Sequence, residues 1–213
     1  NTLNLSVKIT EEAAESAGAV LRRGGTVAFP TDTVYGLGAV FSDRDAVRSI
    51  FEAKGRPENK PLSILVSGID QVHFLTESIP EDALKLMKKF WPGALTLVFR
   101  KREDACIPEE VTAGGDTIGV RMPDNAAAVS IIAAAGRPLA APSANISGRR
   151  SASKAEEVTE DLYGKIDLII DGGDCTIGVA STVVDASTSR MKILREGSIT
   201  RRMIEEVTGA EIL

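Results

Sequence analysis

Hydrophobic positions along the chain switch repeatedly between a helical period and a strand period, with short polar breaks between them. The helical period predicts helices over 11–23, 81–90, 124–135 and 200–207, and two more that end near 54 and 163. Short apolar runs predict strands over 26–29, 62–66, 94–99, 117–121, 139–141, 166–170, 182–185 and 191–194. Such alternation of helices and strands favours an α/β fold.

Two Ser-x-x-acid patterns, Ser42-x-x-Asp45 and Ser153-x-x-Glu156, predict capping boxes at the starts of the helices that end near 54 and 163. Several predicted strands follow one another without a helix between them, which favours a mixed sheet. The 213 residues contain no internal repeat and no low-complexity linker. We therefore expect one α/β domain over 1–213, with a twisted mixed parallel and antiparallel sheet and flanking helices.

Composition and charge narrow the class of protein. A hydrophobic fraction of 43% is enough for a substantial core, and the net charge of -5 disfavours a protein whose whole surface binds nucleic acid. Cys106 and Cys175 lack the spacing of a disulfide framework or a structural zinc site, as is typical of a reducing compartment. The sequence shows no apolar stretch of about 20 residues and no signal-peptide pattern, so we expect a cytoplasmic protein.

The common nucleotide and hydrolase motifs are missing. The sequence has no P-loop, and Gly36-Leu-Gly38 lacks the third glycine of a dinucleotide-binding fingerprint. His73 is the only histidine and has no serine elbow or acid partner in the sequence, which disfavours a Ser-His-Asp hydrolase. Any ATP site must therefore be of another kind.

Two short segments carry the candidate chemistry, Lys54-Gly-Arg56 and Ser143-Ala-Asn145. Two cations one residue apart suit an anion with several oxygens, and a hydroxyl with an amide suits a phosphate or a sugar. Together the segments predict nucleotide binding. Two alternatives stay open: cations at a helix C-terminus favour the helix dipole, and a Ser/Asn turn can be held by its own side-chain hydrogen bonds.

Seven motifs occur in order along the chain: PTDTVYGLG from Pro30, KGRPENKPL from Lys54, FWPGALTLV from Phe90, GVRMP from Gly119, APSANISG from Ala141, STVVD from Ser181 and LREGSI from Leu194. Over about residues 19–199 the chain thus resembles the YrdC-like threonylcarbamoyl-AMP synthase family. The resemblance implies a concave basic cleft and a nucleotidyltransferase that joins L-threonine, bicarbonate and ATP into threonylcarbamoyl-adenylate and pyrophosphate. It also implies a downstream threonylcarbamoyl transferase complex, which uses that product to modify the tRNA adenosine next to the anticodon.

The resemblance also implies site residues. The expected ATP contacts are Lys54, Arg56, Lys60, Thr117, Ser143, Asn145, Ser151 and Arg195, with Lys54 and Arg56 the catalytic cations. The expected threonine contacts are Thr31, Thr33, Tyr35, Arg121, Ala141 and Ser181. Arg121 follows Ile118-Gly-Val120 in a predicted buried strand, where packing does not explain a cation. For Thr31, Ser181 and Arg195, an ordinary strand residue is the competing interpretation.

These residues lead to a mechanistic hypothesis without a protein nucleophile. Threonine's amine captures CO2 or bicarbonate as a carbamate, whose oxygen attacks the α-phosphorus of ATP while pyrophosphate leaves. The protein positions two anions and neutralises their repulsion with its cations. Mg2+ is expected to be held mainly through the ATP phosphates, with Asp32 as an outer contact and no metal-ligating cluster in the protein.

The sequence differs from longer members of the family at Leu65, where many of them carry a histidine. The resemblance is to the short, single-domain form. An alternative function is a non-catalytic module that binds double-stranded RNA or tRNA, for which Arg149 and Arg150 are candidate contacts. The acidic net charge and the aromatic content of 4% disfavour it, because few rings are available to stack on bases.

Overall fold

The computed structural model describes residues 3–6, as a strand backbone, and residues 10–213. The helices are α1 (Glu11–Arg22), α2 (Arg44–Lys54), α3 (Ile69–Leu75), α4 (Glu81–Phe90), α5 (Glu109–Thr112), α6 (Ala126–Ala135), α7 (Ala155–Leu162) and α8 (Arg201–Thr208). The strands are β1 (Leu3–Ser6), β2 (Val27–Phe29), β3 (Gly36–Val40), β4 (Ser63–Leu65), β5 (Leu95–Arg100), β6 (Thr117–Arg121), β7 (Leu139–Ala140), β8 (Leu168–Asp171), β9 (Thr182–Asp185) and β10 (Lys192–Arg195). A 3-10 turn spans Glu103–Ala105.

Within the described residues the strands form one sheet, in the order β1-β8-β2-β3-β7-β4-β6-β5-β9-β10. Strands β1 and β2 pair parallel with β8, β4 pairs parallel with β6, and β5 pairs parallel with β9. The other neighbours are antiparallel. This confirms the predicted mixed sheet, whereas the domain limits of 1–213 stay a prediction.

Helices flank the sheet and form two clusters of buried side chains. The larger cluster packs α2, α4 and α7 with β5 and β6, through residues such as Ile50, Leu86, Val158, Leu97 and Val120. The smaller cluster packs α1 and α6 with β2, β7 and β8, through Leu21, Ile131, Phe29, Leu139 and Leu168. No helix among the described residues is long and apolar enough to cross a membrane.

Both predicted capping boxes are wrong. Helix α2 is capped by Asp43, whose Oδ1 accepts a hydrogen bond from Ala46 N at 3.1 Å, while Asp43 N donates to Val40 O at 3.0 Å and so ends the turn after β3. Helix α7 begins after Lys154, which makes no side-chain cap bond. The backbone N and the hydroxyl of Ser153 instead contact Glu157 Oε2, one residue beyond the predicted glutamate.

The pattern analysis missed β3, because two glycines interrupt its apolar run. The structure shows why glycine is needed there. A Cβ atom at Gly38 would lie 2.8 Å from Phe29 Cε1, so a larger residue would separate β3 from β2. Glycine within a strand commonly marks such a close approach. Helix α3 was also missed, since only Val72 and Leu75 in its seven residues are buried.

Helices α1 and α6 touch at Gly18, and this contact gives a test of the packing. A Cβ atom at Gly18 would lie 2.6 Å from Ala134 Cβ and 2.7 Å from its carbonyl carbon. Overpacking costs about 1–3 kcal/mol, against a helix-propensity gain of about 1 kcal/mol for alanine over glycine. We therefore expect Gly18→Ala to lower the free energy of unfolding, measured by urea denaturation. Ser16→Ala, on the exposed face of α1, is the control and should not lower it. Equal stability of the two variants would contradict the packing.

Candidate functional site

A cleft of about 340 Å³ lies over the middle of the sheet, a volume in the range of small-molecule sites. Alternate residues of β4, β5, β6 and β9 line it, because side chains alternate between the two faces of a strand. They are Ser63 and Leu65, Thr96 and Val98, Thr117, Gly119 and Arg121, and Val183, with Ser181 immediately before β9. The loops that follow β2 and β7 supply further walls, as do the segments around Arg56 and Arg195, so several distant segments meet in one site.

Arg121 is held rigidly at one end of the cleft. Its side chain is only 6% exposed; Nε donates to Gly93 O at 3.0 Å and Nη1 donates to Thr33 Oγ1 at 2.7 Å. Its Nη2 forms an ion pair with Asp32 Oδ1. Burial lowers the pKa of Arg121, and the Asp32 carboxylate opposes this shift. A guanidinium has five N–H donors, so two remain for an acceptor such as a carboxylate.

Ser181 and Arg195 form a second polar group on the cleft wall. The Ser181 hydroxyl lies 2.8 Å from Thr96 Oγ1 and accepts from Arg195 Nη2 at 3.1 Å, while Arg195 Nε donates to Ser181 O at 3.0 Å. The segment after β10 approaches closely, since a Cβ atom at Gly197 would lie 2.5 Å from Ala180 O. Burial lowers the pKa of Arg195. The glycine therefore lets the Arg195 segment pack directly on residues 180–182, which lead into β9.

Arg56 is a further cation on the cleft wall. Helix α2 ends at Lys54, and Gly55 takes the left-handed conformation at φ 57°, which turns the chain toward the cleft. Arg56 Nε donates to Lys60 O at 3.2 Å and Nη2 to Pro61 O at 2.9 Å. Burial lowers the pKa of Arg56, and the charge of Arg195 lowers it further. Two mutually repelling guanidinium groups on one wall suit an anion between them.

Lys54 lies behind the wall rather than on it. Its side chain is 1% exposed, and Nζ donates to the backbone oxygens of Ser143 and Asn145 at 2.5 Å each. Burial lowers the pKa of Lys54 to about 8; the charge of Arg56 adds to this shift and that of Asp161 opposes it. The ammonium thus links the two segments singled out in the sequence.

The structure brings most of the predicted site residues together on the cleft wall. These are Thr31, Thr33, Tyr35, Arg56, Thr117, Arg121, Ala141, Ser143, Ser151, Ser181 and Arg195. Lys54, Lys60 and Asn145 are not among the lining residues. Lys60 is exposed, and the Asn145 amide Nδ2 donates to Ile146 O at 2.8 Å and Arg149 O at 2.9 Å within its own loop. An ATP contact of these three residues stays a prediction.

Two of the lining residues act on the surrounding loops. The Tyr35 hydroxyl donates to Gly173 O at 2.8 Å and accepts from Gly172 N at 3.3 Å, which anchors the loop after β8. Burial raises the pKa of Tyr35. The Thr31 hydroxyl donates to Val34 O at 2.7 Å and closes the turn after β2. Both contacts hold the wall in place.

Sequence reasoning missed several residues of the cleft floor. Gly119 is one of them: a Cβ atom there would lie 3.2 Å from Thr96 Cγ2 and 3.5 Å from Ser63 Oγ, so a side chain would fill the floor. The glycine inside the predicted strand 117–121 was the available signal. Leu65 is 3% exposed and pairs in register with Arg121, which makes the wall beside the guanidinium apolar.

Comparison with known proteins identifies the family. The model of the Sua5/YciO/YrdC family, described as telomere recombination, matches residues 19–197. The threonylcarbamoyl-AMP synthase of Pyrococcus abyssi is 48% identical over 97% of this chain, and that of Bacillus subtilis is 48% identical over 95%. The crystal structure of Pyrococcus abyssi Sua5 complexed with L-threonine superposes with a TM-score of 0.94, at 47% identity over 100% of this chain and 62% of that one. The chain spans 60% of the length of the two relatives.

The buried ion pair at Arg121 gives a test of the site's architecture. Removing one partner of a buried pair costs about 3–5 kcal/mol, because the other charge is left uncompensated. We expect Asp32→Asn to approach this loss in the free energy of unfolding, measured by urea denaturation at pH 7. Asp104→Asn, in the exposed Arg102–Asp104 pair, is the matched control and should have little effect. A comparable loss in both variants would argue against a special role for the Asp32 carboxylate.

Proposed function

The chain belongs to the Sua5/YciO/YrdC family, and we propose that it is a threonylcarbamoyl-AMP synthase, a nucleotidyltransferase that makes threonylcarbamoyl-adenylate and pyrophosphate from L-threonine, bicarbonate and ATP. One observation carries this proposal. The same cleft holds a rigid guanidinium with two N–H donors left, at Arg121, and a pair of mutually repelling cations, Arg56 and Arg195. The first suits a carboxylate and the second suits a polyphosphate. Relatives with 48% identity bear the name of this synthase.

The threonine substrate is assigned to the Arg121 end. The two remaining N–H groups of Arg121 would bind the α-carboxylate, and its contacts with Gly93, Thr33 and Asp32 prevent the guanidinium from turning away. Because Asp32 neutralises much of the charge of Arg121, the guanidinium contributes mainly to the orientation of the bound carboxylate. The apolar side chain of Leu65 beside it is suited to pack against the aliphatic part of the amino acid.

The ATP substrate is assigned to the wall that carries Arg56, Arg195 and Ser143. A polyphosphate repels an approaching anion, so its charge has to be neutralised before attack at the α-phosphorus. The charge of Arg195 lowers the pKa of Arg56, so the two guanidinium groups repel each other. An anion bound between them would relieve this repulsion. The hydroxyls of Ser143, Thr117 and Ser151 offer further hydrogen bonds to phosphate, ribose or base.

The reaction follows from holding these substrates together. The neutral amine of threonine and bicarbonate give a carbamate and water. A carbamate oxygen then forms a bond to the α-phosphorus, the bond from that phosphorus to the bridging oxygen breaks, and pyrophosphate leaves with the electron pair. The chain's residues bind and orient the two anions, and no side chain forms a covalent bond.

Mg2+ is proposed as the metal that accompanies ATP. The lining residues of the cleft offer hydroxyl and guanidinium groups and no carboxylate, and the described residues contain no group of three or more His, Cys, Asp or Glu placed to hold an ion. This donor set fits a Mg2+ ion held mainly through the phosphate oxygens of ATP, which would neutralise part of their charge. We propose, further, that the product serves tRNA modification through a separate transferase complex in the cytoplasm.

The alternative of a non-catalytic RNA-binding module finds less support. Arg149, one of its two candidate contacts, forms an ion pair with Asp161 at 2.6 Å. That carboxylate also accepts from Ile146 N at 2.9 Å, so Arg149 braces its own loop. Arg150 remains an exposed cation beside it. Of the cleft's guanidinium groups, by contrast, Arg121 is buried and Arg56 is half-buried, which suits a small ligand, while Arg195 is exposed.

The reaction itself is tested by mass spectrometry of the products formed from ATP, Mg2+, bicarbonate and threonine. We expect threonylcarbamoyl-adenylate, and we expect a weaker signal with serine, because serine lacks the methyl group that can pack on Leu65. Loss of one such group costs about 1–3 kcal/mol, or roughly 10–200-fold in kcat/KM. Pyrophosphate release that does not depend on threonine and bicarbonate would refute the proposal.

Arg56→Ala separates the enzyme from the RNA-binding module. For the enzyme we expect turnover to fall by about 10²-fold or more, as when a group that stabilises transition-state charge is removed. Arg202→Ala is the control, since that side chain is 88% exposed on α8, and its turnover should be unchanged. Full turnover in Arg56→Ala, with loss of salt-sensitive RNA retention, would favour the module instead.

A further inference from the structure

Lys54 is a buried lysine whose ammonium donates its hydrogen bonds to backbone oxygens. Its Nζ donates to Ser143 O and Asn145 O, and no carboxylate lies within ion-pair distance of it among the described residues. Its own carbonyl accepts from Ser147 N at 2.8 Å. Lysine is rarely buried fully unless it is paired. Here the end of α2 is therefore joined to three residues of one loop, 143–147.

That loop is held from other sides as well. Ala144 N donates to Tyr35 O at 2.7 Å, and Asp161 on α7 accepts from Ile146 N at 2.9 Å. None of these contacts involves the carbonyls of Ser143 and Asn145, which flank Ala144. Ser143 O also accepts from Asn145 N at 3.1 Å within the same turn, so Lys54 is the contact that reaches these two carbonyls from outside the loop, and it helps to orient the Ser143 side chain on the cleft wall.

We propose that Lys54 is a positioning residue for the cleft: its ammonium clamps the carbonyls of Ser143 and Asn145 so that the Ser143 hydroxyl stays on the wall, and it does not itself bind the nucleotide. Arg56, two residues later, is the cation that meets the phosphates. The part of this inference that concerns ATP rests on the proposed function, whereas the clamp itself does not.

The chemistry of the side chain fits this role. An ammonium has three donors on a flexible stem and can satisfy two carbonyls of one turn, which a planar guanidinium cannot do with the same freedom. Hydrogen bonds from a charged donor are about twice as strong as neutral ones. A clamp made of one charged group therefore holds the turn more rigidly than the neutral backbone contact at Ala144, and it acts alongside the charge-assisted contact of Ile146 N with Asp161.

Burial of the charge has a pH signature. The charged groups that act on Lys54 are Arg56, which follows α2, and Asp161 on α7, and its pKa is lowered to about 8. The unfolded chain keeps a lysine pKa of about 10.4, so it binds more protons than the folded chain between these values. The contribution of Lys54 to the free energy of unfolding should therefore rise with pH over that window, even as the clamp loses its charge. The free energy of unfolding of the native protein minus that of Lys54→Met should increase across the window.

Amide hydrogen exchange of the protein without substrates tests the clamp directly. Lys54→Met keeps the length of the side chain and removes its donors. We expect amides 143–147 to exchange at least about tenfold faster, as on losing hydrogen bonds to a charged group, with α1 and α6 unchanged. Lys89→Met, an exposed lysine in the last turn of α4, is the matched control. Unchanged exchange in 143–147 would overturn the proposal. If Lys54→Met does not fold, Lys54→Leu, which also lacks donors, replaces it in the same measurement.

A double-mutant cycle on ATP affinity then separates positioning from direct contact. If Lys54 acts through the loop, Ser143→Ala weakens ATP binding in the native protein and has almost no further effect in Lys54→Met. The same fold-loss from Ser143→Ala in both backgrounds, or no loss in the native protein, would overturn the proposal. A native protein that binds no ATP would instead refute the proposed function, and the exchange experiment would still decide the clamp.

Discussion

The cleft depends on the buried ion pair between Arg121 and Asp32. A guanidinium on a central strand is costly to bury, so other segments of the chain must supply partners for its charge. Asp32, in the turn after β2, forms the ion pair with it, and the same carboxylate accepts from Asp124 N at 3.2 Å. Its backbone carbonyl receives Ile177 N at 2.9 Å and the Thr176 hydroxyl at 3.2 Å. One residue thus joins β6, the start of α6 and the loop before β9 around the Arg121 end of the cleft.

The rest of the site is built on charges that are unfavourable for the fold. Arg56 and Arg195 lie close enough for the charge of one to lower the pKa of the other, and burial lowers the pKa of Lys54 to about 8. Such arrangements are common where a protein must bind or position charged groups. The proposed division of labour follows from burial. The cations on the wall meet an anion, and the cation behind the wall orders the backbone that faces it.

Sequence patterns predicted the elements with long, regular periods well. The predicted limits of the helix Glu81–Phe90 and of the strand Thr117–Arg121 are correct to the residue. The errors arose where tertiary contacts decide. The strand Gly36–Val40 contains glycines because Phe29 packs against it, and the cap of α2 shifted to Asp43 because of the turn that follows that strand. The cleft floor at Gly119 was missed for the same reason, since its role depends on neighbours from two other strands.

The sequence by itself determined the set of residue types available for binding anions, since ordered motifs place arginines, serines and threonines in loops and at strand ends. Only the tertiary structure decided which of them face the cleft. Lys54 and Arg56 are two residues apart, yet Gly55 in its left-handed conformation separates their directions. Lys54 finds its partners 89 and 91 residues away along the chain, in a loop brought to it by β7 and α7. Periodicity and spacing report local geometry, whereas the function of a buried charge is set by groups that only folding brings within hydrogen-bond distance.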